Sequence, residues 1–313
     1  MELIRGLHNL RPRHKPCVAT IGAFDGVHFG HQAVLQQLLD KGAELGLPAT
    51  VIVLEPLPRE YFAPTKAPAR LMSFREKFVA FRDFGIDRVF RVRFTQALSE
   101  VPAVEFIEDV FVAGLGVKYV VVGDDLRFGH EREGDFSLLQ SLGKKHDFDV
   151  DDTNTLAIDG ERVSSTRIRA ALQAADFDLA ERLLGKPYTI TGKVVYGQQL
   201  GRQLDSPTAN LELHRHSAAL SGVYAVEVLG LGAEAKPGVA NVGSRPTVNE
   251  RVKALLEVHL LNFKDNIYGK TIQVRFKKKI REEEKFASVE ELKKNIQADI
   301  QTAYDYFELK RQP

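Results

Sequence analysis

The sequence predicts two folded parts: an α/β domain built on a parallel sheet, followed by a small antiparallel β-barrel with a C-terminal helix. The chain has 313 residues, more than one ordinary core needs, because domains cluster around ~100–200 residues. From residue 17 to about residue 185, short β-branched runs alternate with helical periods, as in parallel strands joined by helices. Beyond that point the hydrophobic period shortens to two residues, which is typical of antiparallel strands.

The charge balance argues against nucleic acid or a membrane surface as a partner. Lys plus Arg number 43 and Asp plus Glu number 42, so the formal net charge of +1 creates no global field. A basic run at Lys277, Lys278, Lys279 and Arg281 lies beside an acidic stretch without interleaved aromatics, so we interpret it as a solvated face. We expect small-molecule substrates and a monomer or weak homo-oligomer.

The cysteine content and the N-terminal residues predict a cytoplasmic protein. The single cysteine, Cys17, cannot form an internal disulfide, and we expect a small buried side chain without chemistry. The N-terminal residues contain no apolar segment of secretory length, and no stretch of the chain approaches roughly 18 uninterrupted apolar residues.

Strands and helices alternate in the first half. Val34, Leu35 and Leu38 keep helical spacing, and Ser73 and Glu76 have the spacing of a capping box. In order, the predicted elements are a strand at 17–21, a helix ending at Gly46, a strand at 49–54, a helix after Ser73, a strand at 88–94, a helix behind Pro102 and a strand at 118–123. This alternation predicts a parallel sheet covered on both faces, with ligands outside the carboxyl ends of its strands.

The second half predicts five short strands separated by glycine and proline turns, which suggests a closed or nearly closed barrel. The best domain boundary lies at residues 185–187, which divides the chain into 1–185 and 186–313. The last helix starts at Ser288, whose spacing to Glu291 fits a capping box. The predicted strands contain Ile190 and Val194, residues 222–228, 237–243, 254–263 and 271–280.

Residues 22–31, GAFDGVHFGH, lie where the first predicted strand turns into the first helix. Their glycines let backbone amides approach a ligand, and the positive end of the helix dipole attracts an anion. His28 and His31 are three residues apart, so if the helix has started at His28 they share a face and can donate hydrogen bonds to one phosphate group. The segment therefore predicts a phosphate site with His28 and His31 as its catalytic groups.

Two other interpretations of the histidine pair are solvated surface residues and ligands of a metal. Against a metal, no nearby Cys or Glu completes a zinc set at the usual spacing. The glycines and the position between strand and helix favour phosphate contact over surface decoration.

A second anion-binding element is predicted at residues 163–172, VSSTRIRAAL. Ser164 or Ser165 is a natural N-cap, free backbone donors follow it, and Arg169 adds a permanent positive charge. Taken alone, the segment is typical of an ordinary capped amphipathic helix. Its interpretation as a phosphate site depends on the motif at residues 22–31.

These segments resemble the N-terminal half of the bacterial bifunctional riboflavin kinase/FAD synthetases. GAFDGVHFGH resembles that family's form of the nucleotidylyltransferase H-x-G-H motif, and EPLPREYF (55–62), VGDDLRFG (122–129) and VSSTRIRAAL follow in the family's order. The resemblance implies a Rossmann-like FMN adenylyltransferase domain in which both motifs bind the ATP phosphates. The nucleotide-binding residues that it implies are Gly22, Phe24, Asp25, Gly26, Gly30, Ser164, Ser165, Thr166 and Arg169.

The implied reaction is adenylyl transfer, in which a phosphate oxygen of FMN attacks the α-phosphorus of ATP and pyrophosphate leaves. Such chemistry consists mostly of positioning and charge neutralisation, so no covalent enzyme intermediate is required. Asp124 and Asp125 end a predicted strand at the same sheet edge. They are candidates for orienting the flavin or a magnesium ion, and the alternative is that they are turn residues.

Residues 192–211, GKVVYGQQLGRQLDSPTANL, join a strand, a glycine-bearing loop and a further strand. They resemble the riboflavin kinase pattern, in which the loop covers ATP and the P-T-A-N element holds magnesium and phosphate oxygens. The resemblance assigns ATP binding to Gly197, Gly201 and Arg202, and magnesium binding to Thr208 and Asn210. Hydroxyl and amide oxygens are hard neutral ligands suited to Mg²⁺.

The predicted strand at 254–263 supplies a candidate general base. Glu257 and His259 share a strand face, while apolar neighbours occupy the other face. In the resembling kinases the glutamate at this position takes the proton from the ribityl 5′-hydroxyl of riboflavin, a task that suits a carboxylate. The alternative is an exposed Glu on a half-solvated face. Arg245, in GVANVGSRPTV, either lies near the flavin or pairs with a carboxylate.

The expected function is therefore synthesis of FMN from riboflavin in the barrel and of FAD from FMN in the α/β domain, with ATP and Mg²⁺ at both sites. One alternative is a nucleotidylyltransferase for another acceptor, such as a pantetheine phosphate, although the barrel motifs argue against it. A second is a flavin-binding or regulatory protein with a decayed kinase half, because Asp205 and Ser206 stand where the family normally has Gly and an aromatic residue.

Overall fold

The computed structural model describes residues 1–196, 208–213, 215, 217–246 and 252–310, with the backbone alone at 244–246 and 252–253. The chain forms two compact units. The first comprises Met1–Pro68 and Phe74–Ser164, and the second comprises Ala69–Ser73 and Ser165–Pro313.

A parallel sheet forms the centre of the first unit, as predicted. Its strands are β1 (Glu2–Arg5), β2 (Cys17–Ile21), β3 (Ala49–Glu55), β4 (Arg88–Arg93), β5 (Val117–Gly123) and β6 (Asp149–Thr153). The strand order is β1-β4-β3-β2-β5-β6, and all neighbours are parallel. The four inner strands match the predicted ones. The edge strands β1 and β6 were not predicted, because an edge strand is only half covered and its polar residues conceal the apolar pattern.

Helices follow the strands along the first unit. They are α1 (Phe29–Leu45), α2 (Pro58–Phe62), α3 (Phe74–Phe84), α4 (Gln96–Ser99), α5 (Ala103–Phe106) with a π-helical continuation (Ile107–Leu115), and α6 (Phe136–His146). Short 3₁₀ turns lie at Leu7–Asn9, Pro12–His14 and His130–Arg132, and a small hairpin is formed by β7 (Ala157–Ile158) and β8 (Glu161–Arg162). The end of α1 agrees with prediction, since Gly46 adopts the left-handed conformation at φ 66°.

Both faces of the sheet are buried. Cys17 and Ala19 of β2 pack in one core cluster with Phe111 of the π-helical segment. Val18, between them, faces α1 so closely that a Cβ on Gly42 would lie 3.2 Å from its side chain. Cys17 is a buried free thiol that donates to the Leu115 carbonyl at 3.7 Å, and burial raises its pKa to about 11. The prediction of a structural cysteine is confirmed, because a thiol with this pKa is not a nucleophile at neutral pH.

A closed antiparallel barrel forms most of the second unit. Its strands are β9 (Thr189–Val195), β10 (Ala209–Glu212), β11 (Gly222–Leu229), β12 (Lys236–Pro246), β13 (Val252–Leu260) and β14 (Thr271–Arg281), in the order β10-β13-β12-β11-β14-β9. Five were counted in the predicted barrel, and β10, the short strand after the glycine-bearing loop, is the sixth. The helices are α7 (Ser165–Gln173), α8 (Phe177–Leu184) and α9 (Val289–Tyr306).

The C-terminal helix α9 flanks the barrel. Its Ile300 and Tyr304 pack against Val223 and Val239. The Ser288 hydroxyl accepts from the backbone N–H of Glu291 at 3.1 Å, as predicted, but the Glu291 carboxylate accepts from Ala287 instead of from Ser288. Among the residues described, no helix is both long and apolar enough to cross a membrane.

The basic run on β14 is partly solvated, as predicted, and partly involved in an ion pair. Lys277 and Lys278 are exposed. Arg281, in contrast, forms a bidentate ion pair with Asp299 of α9, with nitrogen–oxygen distances of 2.8 and 2.9 Å. The interpretation of Arg281 as a solvated residue is therefore wrong, because its guanidinium fork ties the last strand to the last helix.

Candidate active sites

The histidine motif lies where the strand order of the first sheet reverses. β2 has β3 on one side and β5 on the other, and the chain fills the β3 side before it crosses to β5. In open α/β sheets, ligands bind in the crevice outside the carboxyl ends of the strands at such a switch point. Residues 22–31 follow β2 and Asp124 follows β5, so both predicted segments lie at this crevice.

The structure brings the two predicted histidines together. His28 is the N-cap of α1, and its Nδ1 accepts a hydrogen bond from the backbone N–H of His31 at 3.3 Å. The two rings are stacked, with centroids 3.6 Å apart and planes inclined by 16°. A His28 ring whose Nδ1 accepts a hydrogen bond carries its proton on Nε2, at the ring edge opposite the capping bond.

The environment of His31 keeps its ring neutral. Burial lowers its pKa well below the ordinary 6.5, and the neighbouring His28 and Lys77 lower the pKa further. Its Nδ1 atom is buried without a hydrogen-bond partner among the described residues, an exception of the kind that requires a functional explanation. Two adjacent imidazoles can both donate to phosphate oxygens, and a neutral His31 ring does not repel its neighbour.

The lowered pKa of His31 predicts that acid destabilises the folded chain. A histidine with a folded-state pKa below 6.5 binds protons more readily when unfolded, so its contribution to stability is complete above pH 6.5 and declines as the pH falls toward the folded-state pKa. We expect urea unfolding of the first unit between pH 7.5 and 5 to show this loss. His31→Asn, which does not titrate, should flatten the slope, and an unchanged slope in that variant would contradict the prediction.

Strained backbone precedes the histidines. Phe24 and Val27 have φ of 47° and 44°, in the left-handed region that β-branched residues rarely enter. Two hydrogen bonds hold this conformation. The Val27 N–H donates to the Phe24 carbonyl, and the Gln32 side chain donates to the Val27 carbonyl at 2.9 Å. Such outliers persist where surrounding contacts over-determine them, which is common at ligand sites.

The other predicted residues of the first motif pack within the same loop. Asp25 is buried, and Gly26 has φ of 94°. A Cβ on Gly22 would lie 3.0 Å from the Phe24 ring, and one on Gly30 would lie 3.3 Å from the His28 ring. These two glycines therefore make room for the rings of the loop. Whether their amides also contact a nucleotide stays a prediction.

A buried ion pair beneath this loop was missed by the sequence prediction. Lys77 of α3 is fully buried, and its Nζ donates to Glu55 Oε1 at 2.8 Å and to the Ala23 carbonyl at 3.1 Å. Lys77 lies four residues before Phe81 and three after Phe74, on the apolar side of α3. A lysine in such a position is a signal in itself, because lysine is almost never fully buried unless it is paired.

The second predicted phosphate element is divided between the two units. Ser164 ends the chain segment of the first unit, whereas Ser165, Thr166 and Arg169 belong to α7 in the second. Arg169 donates through Nε to the carbonyl of Ala69 at 2.6 Å, so this guanidinium also holds a neighbouring loop. The contacts of all four residues with a triphosphate stay predictions.

The acidic pair after β5 is engaged with the small hairpin. Asp124 accepts from Arg162 Nη2 at 2.6 Å and from the Thr155 hydroxyl, and Asp125 lies 3.5 Å from the same guanidinium. Both contacts fix the segment that leads to Ser164. A flavin role for Asp124 and Asp125 stays a prediction.

The barrel brings the predicted kinase residues together. Asn210 of β10 and Glu257 of β13 are directly opposite in the antiparallel register, and Asn241 of β12 faces Glu257 from the other side. Directly opposite residues point to the same face, with Cβ atoms about 4.5–5.5 Å apart. The predicted faces are confirmed, since Leu256 and Val258 are fully buried while Glu257 is half-buried. Asn241 was not among the predicted residues, because its position depends on strand register.

Several predicted residues of this site lie outside the described part of the structure. They are Gly197, Gly201, Arg202, Asp205 and Ser206, together with the side chain of Arg245, whose backbone pairs with Lys253. Thr208 is described and stands two residues before Asn210. The amide and hydroxyl oxygens of Asn210 and Thr208 are hard ligands of the kind that Mg²⁺ prefers, so these two side chains fit the ion.

The first unit is a parallel α/β fold with a histidine pair at its switch point. The second is a closed barrel with a carboxylate between two amides. These two sites define a transferase that acts on phosphate groups at both. Residues 10–167 match the model of the FAD synthetase family, and residues 184–307 match that of the riboflavin kinase family. The chain belongs to the family of bifunctional riboflavin kinase/FMN adenylyltransferases, which confirms the predicted resemblance.

Relatives of this family match nearly the whole chain. The bifunctional riboflavin kinase/FMN adenylyltransferase of Pseudomonas fluorescens is 52% identical over 303 residues, which cover 97% of both chains. The protein of the same name from Escherichia coli K12 is 50% identical over 310 residues, covering 99% of both. Among solved structures, a chain described as a macrolide-efflux protein from Streptococcus pneumoniae is similar, with a TM-score of 0.75, 27% identity, and coverage of 96% of this chain and 98% of that one.

Proposed function

We propose that this chain phosphorylates riboflavin to FMN in its barrel unit and adenylylates FMN to FAD in its α/β unit, using ATP in both reactions. The observation that carries the proposal is the paired geometry: stacked histidines at a helix N-terminus in one unit, and Glu257 opposite Asn210 in the other. The order of the two matched family models along the chain supports the same assignment.

In the adenylyltransferase reaction, a phosphate oxygen of FMN attacks the α-phosphorus of ATP, and the bond to the departing pyrophosphate breaks. His28 and His31 donate to the phosphate oxygens, where negative charge grows as pyrophosphate leaves. The N-terminus of α1 adds backbone amides as donors, and the helix dipole adds to their effect. Ser164, Ser165, Thr166 and Arg169 add donors to the triphosphate.

In the kinase reaction, Glu257 takes the proton from the ribityl 5′-hydroxyl as its oxygen forms a bond to the γ-phosphorus and ADP leaves. Asn210 and Thr208 orient the phosphate oxygens and are the residues that would hold Mg²⁺. When bound, Mg²⁺ neutralises charge on the transferred phosphoryl group. Gly197, Gly201 and Arg202 cover ATP, and Arg245 is assigned to the flavin.

We assign the adenylyltransferase domain to residues 1–185 and the kinase domain to residues 186–313. The matched ranges 10–167 and 184–307 support this division. Asp124 and Asp125 are assigned to FMN in the first domain. We further propose a cytoplasmic enzyme, supported by its buried free thiol, and a monomer or weak homo-oligomer that binds small molecules and no nucleic acid.

One assay tests both activities. The purified chain, incubated with riboflavin, ATP and Mg²⁺, is expected to form FMN and then FAD, separated by chromatography. FAD made only from supplied FMN would overturn the kinase assignment and favour a decayed kinase unit. Adenylylation of a pantetheine phosphate, with no turnover of any flavin, would favour a different acceptor.

A further inference from the structure

The ion pair between Lys77 and Glu55 lies directly beneath the strained loop of the adenylyltransferase site. Both side chains are almost completely buried, with 1% and 5% exposed. Glu55 is the last residue of β3, at the carboxyl edge of the sheet beside β2, and Lys77 comes from α3. The pair therefore lies behind residues 22–28, next to the proposed nucleotide-binding surface.

Stability alone is a poor explanation for this pair. Desolvation of two buried charges offsets most of their attraction, and well-packed apolar residues in their place are often equally stable or more stable. The second hydrogen bond of Lys77 suggests another reason for the buried pair. Its ammonium group also donates to the carbonyl of Ala23, the residue before Phe24, where the backbone enters the left-handed region.

The hydrogen bond from Lys77 to the Ala23 carbonyl can control the site because it fixes the path of the loop at Ala23. The Phe24 ring lies 5.1 Å from the His31 ring and 5.5 Å from the Phe81 ring, so the path of the loop sets the position of the histidine pair. Apolar packing cannot replace this bond, because an aliphatic side chain has no N–H group to donate to the Ala23 carbonyl. Glu55, in turn, holds the ammonium group at the correct position.

We propose that Lys77 is a positioning residue of the adenylyltransferase site, which fixes the Ala23 carbonyl and through it the loop and histidines that receive the ATP phosphates, with Glu55 as its anchor. The inference rests on the proposed function of the first unit. Lys77 itself contacts no substrate in this arrangement. It acts through the backbone of the loop.

The test separates positioning from stability by replacing the pair with apolar residues. Lys77→Met alone leaves Glu55 buried without its partner charge and should lower the Tm. The double variant Lys77→Met/Glu55→Leu removes both charges and should recover most of that Tm, yet Ala23 still lacks its donor. We expect KM for ATP in FAD formation to stay raised about tenfold or more in the double variant.

Two controls accompany the measurement. Riboflavin kinase activity of the same preparations should remain at the wild-type level, because the barrel is untouched. Lys145→Met removes an exposed lysine with the same 2.8 Å distance to a glutamate, Glu108, and should change neither KM nor Tm appreciably.

A double variant that recovers both Tm and KM for ATP would overturn the inference while leaving the proposed function intact. A wild-type chain that makes no FAD from FMN and ATP would instead overturn the proposed function. If the double variant does not fold, Glu55→Gln provides the comparison, since it keeps the Lys77 donor to Ala23. We then expect at most about a twofold rise in KM for Glu55→Gln against tenfold for Lys77→Met, and equal values would overturn the inference.

Discussion

Glu257→Ala is expected to lower the rate of FMN formation by about 10²–10⁴-fold, the usual contribution of a positioned general base. The carboxylate lies in register between Asn210 and Asn241, on the half-buried face of β13. Without it, the 5′-hydroxyl has no acceptor for its proton while the bond to phosphorus forms. Single-turnover measurements with riboflavin and ATP would report this loss in the chemical step.

The second reaction of the same variant provides its control. FAD formation from supplied FMN should be unchanged, because the α/β unit does not use Glu257. Glu212→Ala removes an exposed carboxylate from the end of β10, the strand that carries Asn210, and should leave both reactions near the wild-type rate. If Glu257→Ala stopped both reactions in a folded protein, the division of labour between the units would be wrong.

The inner strands of the parallel sheet could be predicted because they are covered on both faces. β2 and β3 are apolar at nearly every position, whereas the sequence of β6, DVDDT, reads as a polar loop. Edge strands pair on one side only, so their composition is less constrained. The predicted count of barrel strands fell one short for a related reason, since β10 has only four residues.

The sequence predicts more of the chemistry of the sites than of their geometry. The spacing of His28 and His31 indicated a shared face, but ring stacking and the capping bond depend on side-chain rotamers. The pairing of Asn210 with Glu257 depends on a register between distant strands, which no local period contains. Lys77 was missed because only a tertiary contact explains why a lysine is buried.

The backbone conformation of the loop at residues 22–28 could not be predicted from its composition either. Glycines enter the left-handed region without steric cost, so composition alone points to them as the places of unusual backbone geometry. Phe24 and Val27 also adopt this conformation. Tertiary bonds impose the conformation on these residues, and the site stores strain that local propensity does not reveal.

The second large effect is expected from His28, whose side chain caps a helix and is proposed to bind phosphate. Its Nδ1 caps α1 by accepting from the His31 N–H, and its Nε2–H is assigned to the ATP phosphates. His28→Ala removes both functions. Loss of one donor to developing negative charge typically costs about 10²–10³-fold in kcat, so FAD formation should fall by at least that amount. FMN formation in the barrel should continue.

His28→Asn distinguishes the two tasks. Asparagine is among the best N-cap residues, so its side-chain oxygen can accept from the same N–H and preserve the start of α1. It is too short to place a donor where Nε2 of the imidazole lies. We therefore expect His28→Asn to keep a Tm near that of the wild type while its rate of FAD formation falls as far as that of His28→Ala. A His28→Asn enzyme with near-normal FAD synthesis would show that His28 serves the helix alone, and the phosphate role would then rest on His31.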